Sequence, residues 1–255
     1  MTGLILGIET SNPSSTPGAS PATASDAAAG GGGAGGGGNA DGALLGPGVA
    51  IMTPEGSIVG AEPLREGSRH DDALMPAIAR LCARIGVSPG DLGRVAVSAG
   101  PGGYTGLRIA VTTAKMIAEA TGCEVVAVPS AHVAAWRLSR DLAPAIVCLA
   151  SKKGAAHGTL LPGDGWIGAA KVLGLVDADA VRRLGPRTII ADRYLPDAMR
   201  AAAQEIGAQV VGPQFAAESV CRIGRDLPAQ DAATLAPIYA REPDAVTQWR
   251  ARKGG

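Results

Sequence analysis

An α/β fold organised around a mixed sheet is what this sequence predicts, and three observations predict it. Runs of β-branched and small apolar residues recur at strand length, at 4–10, 48–53, 57–62, 94–99 and 124–129. Segments of helical length with an apolar face stand before and after the fourth run. Between that run and the following helix lies a glycine elbow, Gly100-Pro101-Gly102-Gly103-Tyr104-Thr105-Gly106-Leu107-Arg108, where a chain leaving a strand turns sharply into a helix. An elbow of this kind aims backbone N–H groups at one point, which suits an anion or a closely packed partner backbone.

The bulk properties narrow the function classes. A chain of 255 residues suffices for one large domain or two small ones. Lys+Arg 23 against Asp+Glu 23 leaves no net charge, which argues against an autonomous grip on nucleic acid, and aromatics at 3% argue against a base-stacking platform. Cys82, Cys123, Cys148 and Cys221 are scattered with no Cys-x-x-Cys, the usage of buried thiols in a reducing cytoplasm. No apolar run approaches the ~20 residues of a membrane helix.

Taken in order, Leu4-Ile5-Leu6-Gly7-Ile8 reads as a buried strand with a polar tip, Glu9-Thr10-Ser11. Residues 12–43 carry no apolar side chain larger than Ala and read as a disordered Gly/Ala-rich insertion. The fold tolerates such a loop, because each doubling of loop length costs only roughly 0.6 kcal/mol; a phosphate cradle, which needs a tight turn with fixed N–H groups, does not. After the strands at 48–53 and 57–62, Leu74, Ile78, Leu81 and Ile85 mark one face of a helix in which Asp71 and Asp72 suit the starting end. Pro76 places that helix's start near Leu74 or bends it. His70, His132 and His157 show no i,i+4 spacing, so no metal site is expected and His70 reads as a hydrogen-bonding residue.

The elbow fails the Walker pattern, since Leu107-Arg108 follow Gly106, and its glycines are one residue out of step with a dinucleotide fingerprint. A plain strand-to-helix turn stays open. The helix from Gly106 to Thr121 carries only Arg108, Lys115 and Glu119 as charges, so it has either a second surface to cover or a burial within its own chain. Ser130 is placed to cap a helix over 131–140. Beyond Pro144, strands are expected at 145–150, 156–161, 171–176 and 188–191 and helices at 197–206 and 216–225, with Arg182, Arg183 and Arg187 a solvated basic patch.

The elbow Gly100–Arg108, continued by Ile109, resembles the Gly-Pro-Gly-Ser-Phe-Thr-Gly-Leu-Arg signature of the TsaB family, the non-catalytic partner of TsaD in making the threonylcarbamoyladenosine of tRNA. The usual serine-aromatic pair stands here as Gly103-Tyr104. Three more stretches agree in the expected order: the apolar run closing in Glu9-Thr10-Ser11, the His70-Asp71-Asp72 and Leu74-Met75-Pro76 pair of patterns, and Pro237-Ile238-Tyr239-Ala240-Arg241, which is similar to a closing Pro-x-Tyr-x-Arg.

The resemblance implies an actin/Hsp70-like (ribonuclease H-like) two-lobed fold: an antiparallel β-meander followed by βαβ units in a first lobe, 1–141, and a reduced second lobe, 142–255, whose last segment is free to return to the first. It implies a scaffold that docks TsaD, with TsaE beside it, or pairs with itself, through the helices after His70 and Gly103. The surface residues it implies are His70, Met75, Ala79, Cys82, Tyr104, Thr105, Leu107, Arg108, Ile109, Ala110, Thr113, Ala114, Met116 and Ile117. Gly100, Pro101, Gly102, Gly103 and Gly106 form an anion-binding motif, and Glu9, Thr10 and Ser11 a degenerate nucleotide site. In the second lobe Ala150-Ser151-Lys152 stands where family members carry Asp-Ala-Arg, so magnesium loses its carboxylate. No cofactor is expected, with ATP or ADP held only at a joint interface; tRNA is touched only through the partner, and the setting is the cytoplasm. Tyr239 is expected to bury its ring at the lobe interface. Two alternatives remain: a kinase or ATPase of the same fold with Glu9 on magnesium and the elbow on phosphate, or a stand-alone homodimer.

Overall fold

The computed structural model describes residues 3–10, 44–64, 70–163, 166–241, 249 and 252. Ser11 and the 12–43 insertion lie outside the described residues, as does the side chain of His70.

The first sheet is built from β1 (Leu4–Glu9), β2 (Gly48–Met52), β3 (Ile58–Pro63), β4 (Leu92–Gly100) and β5 (Glu124–Pro129), in the order β3-β2-β1-β4-β5. β1 pairs antiparallel with β2, Leu6 opposite Ile51, and parallel with β4, Leu6 opposite Val95. Alternation along β1 divides its side chains between two cores. Leu6 and Ile8 join the layer under α1 (His70–Ile85) and α2 (Tyr104–Thr121), with Leu74, Ala77, Leu81, Ala110, Val111 and Ala114. Ile5 and Gly7 face α6 (Ala217–Asp226), and a Cβ on Gly7 would lie 2.5 Å from the Ala217 carbonyl and 2.6 Å from Cys221 Sγ. The missing side chain lets α6 lie directly on the central strand.

The second sheet repeats the plan. β6 (Ala145–Lys152), β7 (Ala155–Leu161), β8 (Lys171–Val176), β9 (Thr188–Ala191) and β10 (Gln209–Val211) run in the order β10-β9-β6-β7-β8, again a meander followed by two parallel pairings. One face packs on α4 (Ala178–Leu184) and α5 (Asp197–Glu205) through Val181, Met199 and Ala202. Its other face contributes Val147, Leu149, Leu161 and Ile190 to an interior shared with α3 (Ser130–Ala135), α6 and the first sheet. The second lobe is thus complete in strands and reduced in helix length: seven and nine residues in α4 and α5 against 16 and 18 in α1 and α2.

Several expectations need correction. α1 starts at His70 and carries Pro76 within it, on its exposed side. α2 starts at Tyr104, two residues before Gly106, with Gly103 as its cap. α3 ends at Ala135, and Ser130 is its first residue, not its cap. The Ser130 hydroxyl instead lies 2.9 Å from the buried Ser98 hydroxyl and accepts from the Gly100 N–H at 3.0 Å. α4 and β10 were not expected, although Asp177, whose carboxylate accepts from Ala180 N–H, and the left-handed Gly185 punctuate α4 at both ends.

Arg94 fixes the return of the chain to the first lobe. It is buried on β4; its Nε donates to Glu124 at 2.9 Å, and its Nη1 donates to the carbonyls of Gly224, Arg225 and Leu227 at 2.8–2.9 Å. These carbonyls end α6, where the helix leaves acceptors unfilled and favours a cation.

Candidate functional site

The elbow is held by its own chain on three sides. Gly100 has φ 109°, a left-handed conformation in which a side chain is strained, and a Cβ there would collide with the Ile238 carbonyl. The Ile238 N–H donates to Ala99 O at 2.7 Å, so the C-terminal segment lies against the strand end. Buried Thr10 donates from Oγ1 to Gly106 O at 2.9 Å, tying the tip of β1 to the first turn of α2. Gly100, Pro101 and Gly106 are therefore committed to packing, while Gly102 and Gly103 are half-buried. Glu9 is buried on the side of β1 that faces α6.

Magnesium-bound triphosphate, the ligand this fold implies, does not fit the second-lobe hairpin. The turn between β6 and β7 carries Lys152 and Lys153 and no acid. Its carbonyls at Ala150, Lys152 and Ala155 accept from the Arg241 guanidinium, at 3.2, 2.7 and 3.2 Å.

The outer faces of α1 and α2 point away from the first sheet side by side. Met75 is 53% exposed, Tyr104 49% and Met116 67%. Ala79, Thr105 and Arg108 are also exposed, and Cys82, Ile109 and Ile117 half-buried. Leu107, Ala110 and Ala114, expected on this surface, are fully buried beneath α2, and Thr113 is nearly so. These residues serve the chain's own sheet. Their correct set, Leu107, Ala110, Val111, Ala114 and Ala118, follows the i, i+3, i+4, i+7 stripe of a helix lying on a sheet. The surface also gains residues not expected there: Pro76, Thr112 and Tyr239.

A groove of about 460 Å³ follows the first turns of α2, lined by Tyr104, Thr105, Arg108, Ile109, Thr112 and Thr113. Arg108 is its sole charge. The guanidinium lies 5.3 Å from the Tyr104 ring centre, and no carboxylate among the described residues pairs with it. Tyr239, expected to be buried, is 39% exposed and stacks on Tyr104 with ring centres 5.2 Å apart and planes at 28°. Partial burial and the neighbouring Tyr104 push its phenol above the ordinary value. On the flank of α1, burial raises the Glu62 carboxyl's pKa, but hydrogen bonds from Arg80 and Arg84 outweigh it and hold the group below its ordinary value. Burial also raises the Cys82 thiol and keeps it protonated. Arg182 engages Asp179 and Glu205 across α4 and α5, leaving the basic patch solvated and partly paired. Among the described residues no helix is long and apolar enough to cross a membrane.

Comparisons with known proteins bear on the fold and on relatives of the chain. A family model described as TsaD, tRNA N6-adenosine threonylcarbamoyltransferase, matches residues 51–163, a stretch that contains both α1 and α2. The tRNA threonylcarbamoyladenosine biosynthesis protein TsaB of Bacillus subtilis (strain 168) is 41% identical over 61 residues, 24% of this chain and 27% of that protein. The match thus spans about a quarter of the curated relative's length. Among solved structures, YeaZ from Pseudomonas aeruginosa superposes with a TM-score of 0.60 at 16% identity, over 93% of this chain and 99% of that one. An uncharacterized protein with similarity to peptidase YEAZ from Pseudomonas aeruginosa gives 0.57 at 17%, over 94% and 100%. At these identities the structural likeness speaks to the fold, the actin/Hsp70-like two-lobed architecture.

Proposed function

We propose, starting from a chain that belongs to the TsaB family, that it is a non-catalytic subunit of the machinery making tRNA threonylcarbamoyladenosine and that it docks a TsaD-type protein through α1 and α2. One observation carries this reading: the two long helices α1 and α2 leave Met75, Tyr104 and Met116 exposed to solvent. Large apolar side chains gathered in this way mark an interaction surface.

The chemistry of the chain agrees. The second-lobe hairpin has no acid for magnesium, and its carbonyls are taken by Arg241. The zero net charge leaves the tRNA to the partner. In this reading TsaE joins the pair, any nucleotide sits at the joint interface, and the work is cytoplasmic.

The test is capture of purified TsaD from the same organism by the full chain. Retention that is lost in Met116→Glu and Met75→Glu, with the fold intact by circular dichroism, supports the reading. ATP turnover by the lone chain that disappears in Glu9→Ala would replace it with the ATPase alternative. A dimer of the chain that forms through this face and never yields to TsaD would replace it with self-pairing.

A further inference from the structure

The closing motif Pro237-Ile238-Tyr239-Ala240-Arg241 reaches the exposed surface through Tyr239, and its other contacts join the two lobes. From Gln230 onward the chain runs back over the first lobe. Gln230 N–H donates to Val125 O at 2.9 Å, Leu235 is buried against the layer under α2, and Lys115 Nζ on α2 donates to Ala233 O at 3.0 Å and Leu235 O at 3.3 Å. Ile238 N–H then takes Ala99 O, and its carbonyl fills the space a Gly100 side chain would need. This places Tyr239 on Tyr104 at the head of the groove. Two residues later the chain reaches the other lobe, where Arg241 gathers three carbonyls of the β6–β7 hairpin.

All three acceptors lie at the irregular end of that hairpin. Ala150 has φ 51°, a left-handed conformation that strains an alanine, and the pairing of β6 with β7 is irregular between Leu149 and Lys152. A planar guanidinium with several fixed donors suits such a divergent set of carbonyls, and a lysine does not.

We propose that Tyr239 is a docking residue and Arg241 its positioning residue: the motif straps the second lobe to the head of α2 so that Tyr239, Tyr104 and Arg108 present one continuous face to the TsaD-type partner. The inference rests on the docking reading above. Two features of the chain point to that occupant. The TsaD family model covers α1 and α2, so a TsaD protein carries the corresponding helix pair, and like helix pairs meet by near two-fold packing. The groove's one charge, Arg108, pairs with no carboxylate among the described residues, so the partner's contribution is an Asp or Glu flanked by apolar side chains.

The experiment measures TsaD affinity by calorimetry for the full chain and for Tyr239→Ala, Arg241→Ala and Arg241→Lys, together with amide hydrogen exchange of each lone chain. Tyr239→Ala should weaken TsaD binding roughly tenfold, as loss of an aromatic anchor does. Arg241→Ala should weaken it too, and should speed exchange at residues 104–108 as well as at 150–155, with Arg241→Lys falling short of rescue. Affinity for TsaD within twofold of the unaltered chain in Tyr239→Ala overturns the docking role, and faster exchange confined to 150–155 in Arg241→Ala overturns the strap. An unaltered chain that binds no TsaD, or only a second copy of itself, overturns the proposal together with the docking reading. The result for the unaltered chain therefore separates failure of the strap from failure of that reading.

Discussion

The two lobes share a strand plan and differ in what covers it. In the second lobe, α4 and α5 are short, and Arg182 pairs with Asp179 and Glu205 across them. In the first lobe, α1 and α2 are about twice as long and leave methionines and a tyrosine outside. The elbows differ too: β4 enters α2 through a glycine-rich turn whose Gly100 is pressed against the Ile238 carbonyl, whereas β9 enters α5 through Asp192, Arg193, Tyr194, Leu195 and Pro196. A repeated topology thus differs between the lobes in helix length and in where apolar side chains are exposed: on α1 and α2 in the first lobe, on β8 and around α4 and α5 in the second.

The largest test of this contrast compares two arginines. Arg94→Ala strips a buried guanidinium from three helix-ending carbonyls and should cost about 3 kcal/mol by denaturant unfolding. Arg182→Ala in the second lobe should leave the unfolding midpoint within the scatter of surface substitutions. Equal losses would mean that the second lobe's pairs are no mere surface contacts.

Next comes Gly7→Val, which forces atoms against Ala217 O and Cys221 Sγ and should cost about 2 kcal/mol. β6, at the same place in its sheet, has no glycine. Unchanged stability would show that α6 does not seat directly on β1. The outward faces are then separated by charge: Met116→Glu should reduce TsaD binding at least roughly tenfold, whereas Val172→Glu, equally exposed on β8, should leave it unchanged. If the second substitution proves the damaging one, the lobes have been assigned the wrong duties.

Acid should act in two steps, the smallest effect: on the buried histidines, one in each lobe, and then on a first-lobe carboxylate. Burial, with the Arg241 charge added, holds His157 on β7 below 6.5, and burial does the same to His132 on α3. The unfolded chain therefore takes up these protons first, so stability is full above pH 6.5 and declines as pH falls below it. Glu62 on the first lobe is depressed, so its contribution is present above pH 4.5 and vanishes as pH falls through its lower folded value. Unfolding midpoints against pH should show the earlier decline, and His157→Gln should flatten part of it. A single decline below pH 4.5 would remove the histidines from this account.

The strands of the first sheet were legible because β-branched runs such as Val95-Ala96-Val97 have few other uses. Helix length misled where side chains were small. Ala110 and Ala114 satisfy a partner surface and a buried stripe equally well on composition, and only contact with Leu6, Val95 and Val97 decides between them. β10 has three residues and two exposed positions, too little pattern to stand above its surroundings. The pairing of Tyr104 with Tyr239 joins positions 135 apart, a contact that no local periodicity contains.

The seat of α6 has a consequence for synthesis. The strands of the first sheet are complete by Pro129, but the helix that closes one of their faces arrives only with residues 217–226. A ribosome therefore releases all of the second lobe's strands before the first lobe can be completed, so a chain cut after Pro129 would leave one face of the first sheet without its covering helix.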